Sequence, residues 1–584
     1  MAGYSALLSC DFETTVNTER TCVWLAGNYN ILTDDFAYQT TIEDWFNYVQ
    51  QYHNSLIWFH NLKFDGGFIL YYIMTHGYTW TNEKKLKPMQ FTTCISDMNQ
   101  WYTIKICTPK AMINIRDSLK IIRLPVRDIP KAFGLTEQKG SIEYETYIEP
   151  PEELSSEEIE YLRLDCTIVG KAIKQLWTQG HHAITSASNA MNAYKANVGK
   201  KTFERLFPIL DKEVDTFIRH AYKGGYVYVT PEYKNIWLKR GFVVDVNSLY
   251  PSRCASVEHT PLPFGSPIYF TGKPDSKLYK LSVVHIKCSF SLKDGYLPTI
   301  QIKNNPRYFN ETDYLISSEI DGLITVIELY LTNIDLGIML EHYNVYELEY
   351  IDGYYFMSSE GLWKDYIAEN MRVKEEATLT GNMGLRTIAK GNMNEPTGKF
   401  ATRPEGISKK PVYDAEKDIV RYEATKDKER KLIYTPMSCF ITAWGRKKMI
   451  ETAQRLHDSH QFVYCDTDSA HCIGKMPKWL YDECDHTALG KWDIEGCFIR
   501  AKFIRAKTYM ELTKRKIKEE DEYYGKADYT YKWNIKCAGL PVAQRSQVTS
   551  DNFNIGQVYT GKLLQKTVPG GVVLVETNFE IKEG

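Results

Sequence analysis

A chain of 584 residues exceeds what one hydrophobic core organises, so several domains sharing a cleft are expected. With 43% hydrophobic and 25% charged residues and no apolar run near the length of a bilayer span, the composition is that of a soluble globular protein and excludes a helical membrane anchor. A formal net charge of -2 excludes a surface that is basic throughout, so any nucleic-acid contact must come from a local lining of Lys and Arg, balanced by acid elsewhere. Residues 152–160 are an acidic run. Residues 502–518 carry Lys502, Arg505, Lys507, Lys514, Arg515, Lys516 and Lys518. The opening Met1-Ala2-Gly3-Tyr4 has no basic start, so no signal peptide is expected. Thirteen cysteines without a C-x-x-C pair argue for reduced, mostly buried thiols rather than zinc or disulfides.

The first 186 residues place four acids on three separated elements. An apolar run at 4–10 reads as a buried strand and ends in Asp11-Phe12-Glu13, whose carboxylates share one face of an extended chain. A second strand-like run, 56–60, delivers Asn61-Leu62-Lys63-Phe64-Asp65 at a strand-to-helix turn. Ser155-Ser156-Glu157-Glu158 has the form of a capping box, and Ile159, Leu162, Cys166, Val169, Ile173 and Leu176 follow at helical spacing. That predicts a helix ending near Gly180 with Tyr161 and Asp165, four apart, on one face. Singly, each acid reads as a surface or capping residue. As an ordered set, Asp11, Glu13, Asp65 and Asp165 fit a two-metal hydrolase, one cation activating water and the other stabilising the leaving oxygen, with Tyr161 orienting the water. The series D-x-E, N-x-x-x-D, Y-x-x-x-D resembles the proofreading 3′-5′ exonuclease domain of family B DNA polymerases. The resemblance implies an RNase H-like domain, metal ligation by Asp11, Glu13 and Asp165, catalysis by these with Asp65 and Tyr161, and DNA contacts from Asn61 and Phe64.

Beyond residue 186, Tyr222-Lys223-Gly224-Gly225 lets a backbone approach another chain or a phosphate closely, although a plain hairpin turn would use the glycines equally well. Phe242-Val243-Val244-Asp245 reads as a strand delivering a carboxylate before the turn Val246-Asn247-Ser248-Leu249-Tyr250-Pro251. Further on, Val463-Tyr464-Cys465-Asp466-Thr467-Asp468-Ser469 sets two carboxylates on one face at the tip of a hairpin, suited to a hard divalent cation. With Asp245 they make a cluster able to hold two magnesium ions, which would align a 3′-hydroxyl, an α-phosphate and the leaving pyrophosphate. Residues 245–251 match the family's D-x-x-S-L-Y-P. The resemblance implies catalysis by Asp245 and Asp468 supported by Asp466, metal ligation by these and Val246, and nucleotide contacts from Ser248, Leu249 and Tyr250. The tyrosine ring would exclude a 2′-hydroxyl, so deoxynucleotides are the expected substrate.

Lys374, Arg386 and Lys390 are candidates for gripping triphosphate, the last two on one face if helical. Residues 390–398 follow the family's K-x-x-x-N-S-x-Y-G at Lys390, Asn394 and Gly398 but carry Glu395 and Thr397 in place of Ser and Tyr. Gly391 and Pro396 weaken the helix expected there. Arg446, at the end of Ile441-Thr442-Ala443-Trp444-Gly445-Arg446, and Lys507 with Tyr509, resembling the family's K-x-Y, are expected on DNA, as are Tyr222, Gly224 and Gly225.

Insertions at roughly 264–356 and 401–433 make the chain resemble one subgroup, the protein-primed DNA polymerases of small bacteriophages with linear genomes. The implied architecture is a multidomain α/β (α+β) enzyme: exonuclease 1–186, palm 187–262 and 434–535, an insertion contacting terminal protein 263–358, fingers 359–400, an insertion for strand displacement and processivity 401–433, and thumb 536–584. Composition alone reads the second insertion as an exposed loop. The implied cofactors are two magnesium ions per site, for which manganese substitutes. The implied partners are dNTPs, template and primer DNA and a terminal protein, with a monomer acting in the cytoplasm of an infected bacterium. A nuclease with a decayed polymerase half is the rival within the class, and a non-enzymatic DNA-binding or packaging protein the rival outside it.

Overall fold

The computed structural model describes residues 3–140, 147–302, 314–320, 322–426, 430–514 and 531–583. The run at 4–10 belongs to the strand Ala6–Thr14, in which Ala6, Leu8, Cys10 and Phe12 enter one apolar layer with Trp45 and Ile69, while Leu7 enters the opposite layer with Leu162 and Cys166. By the same alternation Asp11 and Glu13 fall on the Leu7 side. This strand lies inside an eight-stranded mixed sheet, parallel to Asn54–Phe59, which is parallel in turn to Met112–Asp117. Helix Asp65–Thr75 lies on one face and helix Ser156–Thr178 on the other. Ser155 and Glu158 form the reciprocal capping box, and the helix stops two residues before Gly180. It lies close on the sheet because Gly27 has no side chain: a Cβ there would come within 2.7 Å of Cys166 Sγ and Leu162 Cγ.

A second, seven-stranded antiparallel sheet is ordered Tyr531–Cys537, Thr508–Lys514, Trp492–Arg505, Trp237–Val246, Ser469–Ile473, Phe462–Asp466, Val227–Val229. The helices Lys364–Leu379, Met383–Phe400 and the largely buried Thr435–Asp458 share its main core, where Tyr194 stacks on Trp363 at 3.6 Å. The helix Met383–Phe400 runs unbroken through Pro396, against the sequence expectation. Proline removes the amide that would bond the carbonyl four residues back, and here that carbonyl, on Asn392, accepts from the Tyr366 hydroxyl at 3.3 Å. Just past the proline, the Thr397 carbonyl accepts from the Ser438 hydroxyl. The Tyr366 hydroxyl thus replaces the lost ladder bond.

The first insertion holds a four-stranded antiparallel sheet, Leu262–Thr271, Tyr343–Ser359, Leu281–Leu292 and Ile327–Thr332, with helix Asn333–His342. The second is not an exposed loop but a hairpin, Ile407–Asp414 and Ile419–Lys426, docked on the first sheet: Asp97 N–H donates to the Ile407 carbonyl at 3.0 Å, and Tyr422 packs edge-on to Trp101 at 5.4 Å. A terminal hairpin, Val558–Val568 and Gly571–Glu580, reaches the same unit, with Thr21 N–H on the Pro569 carbonyl at 2.9 Å. All thirteen cysteines are free thiols. Among the described residues no helix is long and apolar enough to cross a membrane. The basic run does not form one face: Lys502 is buried against Asn554, and Arg515, Lys516 and Lys518 lie outside the described residues.

Candidate active sites

The first cluster gathers the four acids read from residues 1–186. Glu13, Asp65 and Asp165 are 5%, 3% and 5% exposed, and their charges act on one another and on Asp11. Burial, then mutual repulsion, pushes the carboxyls of Asp11, Glu13 and Asp65 up, and burial does the same for Asp165. Asp65 opens its helix, where the dipole favours a negative charge. Burial, followed by Asp165, raises the Tyr161 phenol to about 12. Lys139 ion-pairs with Asp165 and sits 4.8 Å from the Tyr161 ring centroid. Sequence reasoning missed Lys139, since a lone lysine in a polar loop carries no periodic signal. Asn61 is exposed beside the cluster with φ 76°, and Phe64 is half-buried against Phe68.

The second cluster forms where three strands of the second sheet end. Asp245 lies opposite Ser469 on one neighbour and Asp493 on the other. The Asp466–Ser469 turn is tight: Thr467 has φ 67°, and Asp468 N–H donates to the Asp466 carbonyl at 2.7 Å. The Asp468 carbonyl in turn accepts from Val246 N–H at 2.8 Å, which ties the turn to the strand of Asp245. Burial and the charges of Asp468, Glu495 and Asp493 push the Asp245 carboxyl up to about 8, against the pull of Lys390. Asp468 is raised by burial, then by Asp466 and Glu495. Asp466 accepts from Lys507 Nζ at 2.7 Å and from the Tyr464 hydroxyl at 3.1 Å. Glu495 was also missed, although Asp493-Ile494-Glu495 repeats the alternate-acid pattern that singled out the other sites.

Lys374 lies on the helix Lys364–Leu379, and Arg386 and Lys390 lie on Met383–Phe400. The Lys374 ammonium is held down by burial, then by Arg386 and Lys390, and the field of Lys390 reaches both Asp245 and Asp468. Tyr250 and Asn394 line one groove of about 1150 Å³ with Thr397, Lys399, Arg123 and Arg430. Leu249, in contrast, is 2% exposed in the core, so its side chain makes no nucleotide contact; Ser248 turns the chain with φ 53°. The Tyr-Lys-Gly-Gly segment abuts the Asp466–Ser469 turn, because a Cβ on Gly225 would fall 2.7 Å from Thr467.

Two expected DNA contacts need correction. Arg446 is 2% exposed: its guanidinium is spent on Asp335, at 2.9 and 2.7 Å, and on the carbonyls of Lys223 and Gly224, both at 2.8 Å. It holds the glycine segment from inside and presents nothing to DNA. Tyr509 is 8% exposed, stacked on Phe503 at 5.3 Å and packed edge-on to His471 at 5.0 Å, so its ring belongs to the core.

Residues 47–478 match the family model for DNA polymerase type B, organellar and viral. This chain belongs to that family. It is 38% identical over 589 residues to the DNA polymerase of Bacillus phage Nf, with 99% of each chain covered, and 32% identical to that of Streptococcus phage Cp-1, with 98% of each covered. It superposes on the phi29 DNA polymerase complexed with primer-template DNA with a TM-score of 0.90 and 35% identity over 99% of this chain and 100% of that one. The polymerase is thus a multidomain α/β enzyme of the phi29 type.

Both clusters suit divalent cations in donor type: hard carboxylate oxygens, with Oδ1 of Asp65 and of Asp165 buried and without a hydrogen-bond partner among the described residues. Among the described residues no three acidic, histidine or cysteine side chains are arranged to hold an ion directly. In each cluster a lysine ammonium pairs with one carboxylate instead, Lys139 at Asp165 and Lys507 at Asp466.

Proposed function

We propose that this polymerase copies a linear phage genome, extending a DNA 3′-end and initiating on the hydroxyl of a terminal protein, displacing the strand ahead and editing with its own 3′-5′ exonuclease. The observation that carries the reading is the pairing of two separate acid clusters in one chain, with the positive charge of Lys390 felt by both Asp245 and Asp468. DNA polymerases of this family use divalent metals. Asp245, Asp466, Asp468 and the Val246 backbone would hold magnesium ions at the polymerase site, and Asp11, Glu13 and Asp165, with Asp65, at the other. When bound, the cations neutralise the reacting phosphate and activate the attacking oxygen.

The chain's own groups do the rest. Lys390, with Lys374 and Arg386 behind it, neutralises and orients the triphosphate, which leaves Asp245 and Asp468 to position the reacting end. Tyr250 walls the sugar pocket. At the editing site Tyr161 and Lys139 orient water beside Asp165. The four-stranded sheet of the first insertion is assigned to the terminal protein, and the hairpin Ile407–Asp414 and Ile419–Lys426 closes a passage around DNA with the exonuclease unit and the terminal hairpin. The phi29 polymerase was captured with primer-template DNA, and we assign the same ligand here. We place the enzyme, as a monomer, in the cytoplasm of the infected bacterium. Purified protein with magnesium should extend a primed single strand and transfer a labelled nucleotide onto a co-expressed terminal protein. Extension without that transfer would remove protein priming from the reading, and degradation without extension would overturn it in favour of a nuclease.

A further inference from the structure

The groove that holds Tyr250 and Asn394 runs out at Lys399, Thr402 and Arg430. A second cavity, about 830 Å³, opens beside it and is lined by Lys195, Lys200 and Lys431 together with Phe203, Ile209 and Ile433. The two are linked by charge. The Lys399 ammonium is held down by burial, then by Arg430 and Lys195; that of Lys195 by burial, then by Lys431, with Glu204 opposing. Cations in series, close enough to repel, therefore lead from the groove to the outer cavity. Among the described residues none of Lys195, Lys200, Lys399 and Lys431 forms an ion pair; Lys195 lies 4.9 Å from the Phe203 ring centroid. Three lysines share the outer cavity with a single acid, Glu204, so the cations lining it outnumber the acid and repel one another, which a polyanion would relieve. Exposed Ile209 adds an apolar surface beside them.

We propose that Lys399, Lys195, Lys431 and Lys200 form a track for the phosphate backbone of single-stranded DNA ahead of the polymerase site. The inference rests on the reading that Tyr250 walls the sugar pocket of the polymerase site, from which the same groove runs on to Lys399 and Arg430. Its occupant is an extended strand, because the cations are spread over two neighbouring cavities. In a chain with a net charge of -2, a local excess of this kind is a built feature of the surface.

Lys200 and Lys431 are exposed, so reversing them does not disturb the core. The test compares wild type with the Lys200→Glu, Lys431→Glu double variant. On a primer whose template overhang is about three nucleotides, too short to reach the track, extension should be equal; failure there speaks against the polymerase reading or the fold, and not against the track. On long overhangs and on forks the variant should bind roughly tenfold more weakly, with a salt slope shallower by about 1.4 for two lost contacts. A photo-crosslinker at position 200 should label the strand ahead of the primer end. A label on the template arm assigns the track to incoming template, and a label on the other arm to the displaced strand. Equal affinity and salt slope for the two proteins, or crosslinks confined to duplex behind the primer end, would overturn the proposal.

Discussion

At Asp245 the carboxyl is raised to about 8 because it is partly buried beside Asp468, Glu495 and Asp493 with Lys390 as the opposing charge. A group so placed is there to meet further positive charge. The two clusters are built from different strands and share no residue, so they should fail independently. Asp468→Ala is expected to lower primer extension at least a thousandfold and leave degradation of a single strand within twofold, while Asp11→Ala with Asp65→Ala does the reverse. Gel assays of both activities on each variant check this; loss of both from either change would contradict two separate sites. Tyr250 is half-buried beneath Gly445, with a Cβ on that glycine only 3.0 Å from the ring, and it borders the groove. Tyr250→Val should open the sugar pocket and reduce discrimination against ribonucleotides by roughly ten- to a hundredfold, read from the ratio of kcat/KM values for the two sugars.

Elements, rather than single residues, explain how a glycine loop is held against the Asp466–Ser469 turn. Arg446 projects from the helix Thr435–Asp458, pairs with Asp335 on Asn333–His342 and clamps the carbonyls of Lys223 and Gly224. The pair therefore joins the insertion to the polymerase unit. Asp335→Ala leaves a buried guanidinium without its counter-charge, and a loss of about 3–5 kcal/mol is expected. Denaturant unfolding measures it. Because the same guanidinium anchors Gly224, extension should fall further than degradation, and equal losses would show that the clamp serves stability alone.

For the whole molecule, the hairpin Ile407–Asp414 and Ile419–Lys426 bridges distant parts. Asp418 accepts from Tyr71 at 2.8 Å and from Tyr413 at 2.7 Å and pairs with Arg20, while the strand Ile419–Lys426 lies beside Val558–Val568 of the terminal hairpin. Removing residues 407–426 should spare short extension on a primed single strand but shorten products and slow copying through duplex severalfold, as seen on long gapped templates. The acid clusters also set a pH dependence. Folded carboxyls raised above their unfolded values bind more protons than the unfolded chain between about pH 4 and 8, so metal-free stability is greatest below that window and falls as pH rises through it. Melting temperature in chelator should drop from pH 5 to 8, by about 1 °C per kcal/mol lost in a chain of this size, and magnesium should recover it at pH 8. A chelated protein whose melting temperature rises over this range would contradict the raised carboxyls.

Local pattern determined much of this. Alternation put Asp11 with Glu13 and Asp466 with Asp468 on single faces, the capping box at Ser155 started the helix that carries Asp165, and both motif series stood in order, because strand and helix periods are local properties of the chain. Tertiary structure decided what depends on distant partners. Pro396 stays helical because Tyr366 supplies the missing bond to Asn392, and Arg446 turns inward because Asp335 waits there. Lys139 and Glu495 join the sites, and the second insertion becomes a docked hairpin. Burial and charge pairing are summed over neighbours far away in the chain, and no local period records them.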